Sequence, residues 1–193
     1  MKTIAISGSP RENVGKRDAK ELRYEGKVPA VLYGGPEQQH LAIVATEFKE
    51  AIFTPEVSFI ELTVGGKTCK AIIKDLQFHP LTDQLLHVDL LQLFDDKEIT
   101  MEIPVRLVGV SPGVKMGGKL IQKLRKLRIK ALPKNMPQTI DVSIEKLEVG
   151  NLSRVRDVKA ENFIITNTPE DTIVSVAMSR ALKQAEQEAA KGK

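Results

Sequence analysis

The sequence predicts a mainly β protein, with a mixed α+β first half followed by an almost all-β second half. Three observations carry that reading. Val57 to Val64 and Lys67 to Phe78 flank Gly65-Gly66, and paired glycines accept the positive φ of a tight hairpin turn. From Glu98 onward, Ile99, Met101, Ile103, Val105 and Leu107 alternate with Glu98, Thr100, Glu102 and Arg106, the period-two pattern of a half-buried strand. Helical spacing in the folded part is short, over residues 16–25 and 47–53, both in the first half.

The remaining elements follow in order. Ile4 and Ile6 mark a first strand, and Gly8-Ser9-Pro10 reads as the loop that ends it. Residues 16–25 carry Ala19 and Leu22 on one helical face and close at Gly26. Val28 to Tyr33 reads as a strand stopped by Gly34-Gly35-Pro36, and Thr46 as the cap of the helix over 47–53. His79-Pro80 ends the second hairpin arm, and Leu85 to Leu93 supplies the next strand. Phe94-Asp95-Asp96-Lys97 reads as a boundary, giving domains over 1–94 and 95–179 and a polar tail over 180–193 that is helical or disordered. Beyond it, Gly109 to Gly118 is a glycine-rich loop, and Leu120 to Leu132 is ambiguous, with strand alternation near its end. Ile140, Val142 and Ile144 form another strand, and Thr172 to Met178 the last.

Composition narrows the class. With 41% hydrophobic residues the 193-residue chain buries a real core, which excludes wholesale disorder. No apolar run reaches the roughly 18–20 residues of a membrane span, and the start turns polar too early for a signal peptide. One cysteine, Cys69, excludes a disulfide framework and a cysteine zinc cage, so a soluble cytoplasmic protein is expected. Six Phe, two Tyr and no Trp speak against stacked aromatic platforms for loose bases. The net charge of +4 is modest but unevenly placed. Seven bases lie in the first 35 residues among four acids, and seven more lie between Lys115 and Lys130 with no acid. Either block suits a phosphate-bearing partner, or is a solvated basic face.

Few motifs point to catalysis. Ile4-Ala5-Ile6-Ser7-Gly8-Ser9-Pro10-Arg11 resembles the phosphate loop of flavodoxin-like flavin reductases, but the chain lacks the alternating strand–helix units of a doubly wound sheet. Gly15-Lys16-Arg17 lacks the spacing and hydroxyl of a nucleotide-binding loop. His79, His87 and Asp89 lack the helical four-residue spacing that pairs metal-binding histidines, and Cys69 has no activating neighbour and reads as a buried thiol. No catalytic residue, metal or cofactor is therefore expected. More informative is a polar face: Gln77 with His79, and His87 with Asp89, share strand parity, with Lys74 nearby. If 80–86 turns the chain, these donors and acceptors meet on one sheet face suited to the shallow minor groove of A-form RNA, against the alternative of a merely solvated face.

A set of colinear motifs carries a resemblance. Arg11, Gly15-Lys16, Leu22-Arg23, Gly26-Lys27-Val28-Pro29-Ala30-Val31-Leu32-Tyr33-Gly34, Asp75-Leu76-Gln77-Phe78-His79-Pro80 and His87-Val88-Asp89 resemble the bacterial large-subunit ribosomal protein twenty-five family. Ile103-Pro104-Val105, Gly113-Val114-Lys115-Met116-Gly117-Gly118, Leu132-Pro133, Ile140-Asp141-Val142 and Leu147-Glu148-Val149-Gly150 resemble its long form, the general stress protein Ctc type. The resemblance implies a barrel-like N-terminal α+β domain that binds 5S ribosomal RNA, followed by an all-β C-terminal domain. It implies a non-catalytic ribosomal protein whose second half meets other ribosomal RNA or ribosomal proteins, with no membrane role. The RNA-facing residues it implies are Arg11, Lys16, Lys20, Arg23, Tyr33, Lys74, Gln77, His79, His87 and Asp89. Asp18, Glu21 and Phe78 depart from the family pattern and weaken local phosphate attraction. The competing readings are the flavin reductase and a stress-induced interaction module acting off the ribosome.

Overall fold

Six strands of the first half close into a barrel and send apolar side chains into it. The computed structural model describes residues 2–159 and 162–179; the expected polar tail over 180–193 lies outside the described residues. The first-half elements are β1 (Lys2–Pro10), α1 (Lys16–Tyr24), β2 (Lys27–Tyr33), β3 (Gln39–Val44), a 3₁₀ turn (Ala45–Phe48) leading into α2 (Lys49–Ile52), β4 (Ser58–Val64), β5 (Lys67–Phe78) and β6 (Leu85–Gln92). The barrel order is β1-β3-β2-β6-β5-β4. Two pairings, β1 with β4 and β2 with β6, are parallel, and the other four are antiparallel. A six-stranded barrel is narrow enough for side chains alone to fill it. Ile4, Ile6, Val28, Leu41, Ile43, Ile60, Leu62, Val88 and Leu90 do so, joined by the fully buried Phe48.

Gly65 and Gly66, at φ +55° and +82°, join β4 to β5 with Val64 opposite Lys67, a two-residue turn in the left-handed conformation. Gly66→Ala should therefore cost about 1 kcal/mol of stability, read as a shift in the urea midpoint at unchanged slope. A three-residue bulge-forming loop would absorb the change and leave the midpoint in place.

Four local expectations are corrected. Gly8, Ser9 and Pro10 are not a loop: they pair with Ile43, Ala42 and Leu41 as the end of β1. That continuous strand also removes the turn a flavin phosphate loop needs. Pro10, at the strand's last residue, lacks only a donor that the ladder does not require there. Strand β3, unmarked by sequence, is the seam between β1 and β2. Thr46 is no cap: the 3₁₀ turn starts at Ala45 behind Val44, without a side-chain capping bond. Where β1 leaves β3, the Glu47 carboxylate takes over, accepting from the Ser7 amide at 2.6 Å and the Ser7 hydroxyl at 2.9 Å.

By packing, one unit runs to Met101 and includes Leu132–Met136, and the other comprises Glu102–Ala131 with the described residues from Pro137 on. The later elements are β7 (Ile99–Val108), α3 (Pro112–Lys115), β8 (Lys119–Gln122), β9 (Lys126–Ala131), β10 (Ile140–Ser143), β11 (Leu152–Arg154), β12 (Ile164–Ile165) and β13 (Thr172–Ala177). They form a four-stranded sheet, β10-β7-β9-β12, and a three-stranded sheet, β11-β13-β8. Ile103, Leu127, Ile129, Ile173 and Val174 are fully buried in the second unit. The ambiguous stretch 120–132 resolves into two strands, and the glycine-rich loop contains the single turn α3, capped by the Ser111 hydroxyl, which accepts from the Val114 amide at 3.4 Å. That loop is packed backbone to backbone. A Cβ on Gly113 would lie 2.6 Å from the carbonyl carbon of Glu148, so Gly113→Ala should destabilise the second unit by about 1–3 kcal/mol in urea unfolding.

Candidate nucleic-acid interface

Alternation places the polar residues of β5 and β6 outside the barrel. Val88 and Leu90 enter the core, so His87 and Asp89 point outward. On β5 the parity changes midway. Ile73 and Leu76 both pack on the core although three residues apart, because the register shifts between Ile73 and Asp75. One extra residue, Lys74, thus puts Asp75 and Gln77 on the outer face. Gln77 then stands opposite His87, and Asp75 opposite Asp89. On the other side of β6, β2 sends Ala30 and Leu32 inward and leaves Val31 and Tyr33 outward, beside Asp89 and Leu91.

The polar groups are ordered by one another. His87 Nδ1 lies 2.9 Å from Asp89 Oδ1, with both side chains about a quarter to a third exposed. The carboxylate thereby orients the ring and leaves Nε2 for an outside partner. Burial, reinforced by the Asp89 and Asp75 carboxylates, pushes the Tyr33 phenol above its ordinary value of 10.0, so it keeps its proton and donates. Asp75 was not singled out by sequence. Its signal is the strand parity it shares with Gln77 two residues on, since the bulge lies before both.

His79 does not share the sheet face with Gln77. It lies one residue past β5, where its Nδ1 accepts from the Leu81 and Thr82 amides at 3.3 Å each. Its amide donates to Gln84 O at 2.8 Å, so it fixes the turn between β5 and β6. Lys74, exposed at the bulge, reaches the Thr100 carbonyl at 3.4 Å.

The bases of the first block divide into two kinds. Lys16 and Lys20 are exposed and four residues apart on α1, and Tyr24, 79% exposed, continues that line with the Lys20 ammonium 5.7 Å from its ring. The i, i+4 spacing of Lys16, Lys20 and Tyr24 is the sequence signal for this line. Arg23 Nε donates to Leu86 O at 3.0 Å, which pins α1 to the start of β6 and uses one of five guanidinium donors. Arg11 is not on the exposed surface: its side chain is 9% exposed and paired with Asp18, and it donates to Asn13 O at 3.2 Å. Asp18, which read as a departure, is its counter-charge. Asp18→Ala should cost about 1–2 kcal/mol in thermal or urea unfolding, because it leaves a buried guanidinium short of a partner. An unchanged midpoint would show the pair to be idle.

Cys69 faces Leu62 and packs against the barrel core, and burial pushes its thiol up, away from the reactive thiolate. Among the described residues no three His, Cys, Asp or Glu side chains are grouped to hold a metal. No helix among them is long and apolar enough to cross a membrane.

The sequence is similar to known proteins along its length. Residues 6–90 match the Ribosomal L25p family, and residues 98–180 match the C-terminal domain of ribosomal protein TL5. The chain is 46% identical over 194 residues to the large ribosomal subunit protein bL25 of Amoebophilus asiaticus, covering 100% of this chain and 99% of the relative. It is 42% identical to the bL25 of Cytophaga hutchinsonii, covering 99% and 100%, and 40% identical to that of Porphyromonas gingivalis, covering 96% and 97%. With both halves matched in order and whole-length relatives at this identity, the chain belongs to the ribosomal L25p family, whose members are structural, non-enzymatic ribosomal proteins.

Proposed function

We propose that the chain is a structural protein of the large ribosomal subunit that binds 5S ribosomal RNA through the outward face of its barrel. The observation that carries this reading is the register of β5 and β6, which sets Gln77 opposite His87 with Asp89 hydrogen-bonded beside it. Such a face offers both donors and acceptors at fixed spacing, which suits base edges and 2′-hydroxyls in a wide, shallow groove. Tyr33 donates from its protonated hydroxyl. Lys16, Lys20 and the unused donors of Arg23 hold phosphates and set the register, the usual division of labour at such sites. Arg11 orders the segment before α1, and His79 shapes the turn that borders the groove. The domain reading is residues 1–94 for 5S binding and 95–179 for contacts with other ribosomal RNA or ribosomal proteins, on ribosomes in the cytoplasm.

A gel shift comparing 5S rRNA with an unrelated RNA duplex of equal length tests the reading. Clear preference for 5S is expected, and equal binding would overturn it. Lys16→Ala with Lys20→Ala should weaken all RNA alike and reduce the slope of log affinity against log salt by about two.

A further inference from the structure

We propose that Tyr24 is an additional RNA contact, whose ring stacks on one unpaired base of the bound RNA. The inference deepens the reading of the chain as an RNA-binding ribosomal protein and rests on it. Tyr24 is 79% exposed, so its ring contributes little to the fold. It is the last residue of α1, four after Lys20, which is itself four after Lys16, and all three are exposed along one line of the helix. The Lys20 ammonium lies over the ring, 5.7 Å from its centroid. One cation covers one face of a ring, and an aromatic face left open to water is a stacking surface for any base.

The ring stands on a fixed mount. The Glu25 amide donates to Glu21 O at 3.1 Å and the Gly26 amide to Arg23 O at 3.2 Å, which closes the helix at Tyr24. Gly26, at φ +77°, turns the chain into β2 at Lys27. One residue before Tyr24, Arg23 Nε donates to Leu86 O at 3.0 Å, and Leu86 precedes His87 on β6. The helix that carries the ring is therefore bonded to the strand that carries the polar face. Holding an aromatic side chain in place beforehand lowers the ordering cost of binding.

The company the ring keeps decides its occupant. Lysine is depleted from the cores of protein interfaces, and the line that leads to Tyr24 consists of Lys16 and Lys20. A nucleotide satisfies both chemistries at once: its base stacks on the ring, and its phosphate meets the ammonium beside it. Inside a continuous duplex each base is covered on both faces by its neighbours, so the ring selects a bulged or looped-out base, a feature by which proteins read folded RNA. A single such ring is no platform for loose strands, in keeping with two Tyr and no Trp in the whole chain.

The test uses the full chain with three probes: 5S rRNA, a fully paired random-sequence RNA duplex, and the same duplex carrying one bulged adenosine. At one fixed salt concentration, Tyr24→Ala should weaken binding to 5S rRNA and to the bulged duplex by about 5–100-fold, and to the paired duplex by less than about twofold. Tyr24→Phe keeps the aromatic face and should stay within about twofold of the wild type on all three, whereas Tyr24→Leu keeps only apolar bulk and should behave as the Ala variant. Because the chain has no Trp, Tyr24→Trp supplies a single reporter, whose emission should be quenched by the bulged duplex and little changed by the paired one. Unquenched emission on the bulged duplex overturns the proposal. Equal weakening of the bulged and paired duplexes by Tyr24→Ala also overturns it, since that pattern marks damage to α1 rather than lost stacking. If the ring faces a protein instead, all three RNAs bind the Ala variant as tightly as the wild type, and the proposal fails. Absence of 5S preference in the wild-type chain would sink the 5S reading, while the comparison of bulged with paired duplex still decides the role of Tyr24.

Discussion

His87→Ala is expected to lower affinity for 5S rRNA by about 10–100-fold with little change in folding. The ring is 26% exposed and contributes nothing to the barrel core, so its loss should shift the unfolding midpoint only slightly. Its value lies in geometry. It faces Gln77 across the strand pair, and the Asp89 carboxylate at 2.9 Å holds its Nδ1 edge so that Nε2 meets the RNA. A well-placed polar contact to a base edge contributes about 1–3 kcal/mol of discrimination. The loss should therefore appear against 5S rRNA and be small against a random duplex, the opposite of the lysine variants on α1. Asp89→Asn should have the same sign and a smaller size, because an amide oxygen can still accept from Nδ1. Competition gel shifts at one fixed salt concentration measure this. Equal weakening on both RNAs after His87→Ala would mean that the face attracts RNA without recognising it.

Leu90→Ala should give the largest loss of stability, about 2–5 kcal/mol. Leu90 is fully buried on β6, opposite Ile73 of β5 and Leu32 of β2, at the wall whose outer side carries the polar face. Truncation removes the buried surface and leaves a cavity that a closed barrel cannot easily collapse to fill. Urea unfolding should show a lower midpoint at similar slope. Leu81, 88% exposed at the β5–β6 turn, is the control: Leu81→Ala should fall within about 0.5 kcal/mol of the wild type. Comparable effects at the two leucines would contradict the barrel as the source of stability.

How much of this was legible depended on the range of the interactions. The β4–β5 turn could be read because Gly65-Gly66 meets a local backbone demand. The strand character of β7 and β9 could be read because alternation is local as well. Strand β3 could not: Gln39–Val44 is short, and its reason to be a strand is its pairing with β1 on one side and β2 on the other. Ser9 and Pro10 misled for the same reason, since their turn propensity yields to the ladder with Ala42 and Leu41. At the site, the pairing of Gln77 with the His87–Asp89 strand followed from parity. The bulge at Lys74 did not, because a one-residue insertion reverses every side chain beyond it without leaving a mark in composition.

Sequence by itself determined that this chain is mainly β, that its bases fall in two blocks, and which polar residues can share a strand face. Those properties follow from local periodicity and from charge, which each residue carries wherever it is placed. Tertiary structure decided which of the charges are available. Arg11 and Lys16 are equivalent cations in the sequence, yet one lies buried against Asp18 and the other stands on an exposed helix face. Closing the barrel also set Asp75 beside Tyr33 and Asp89, and moved His79 from the sheet to the turn. Register and burial arise only when strands distant in the chain pair, and they select the side chains that meet a partner.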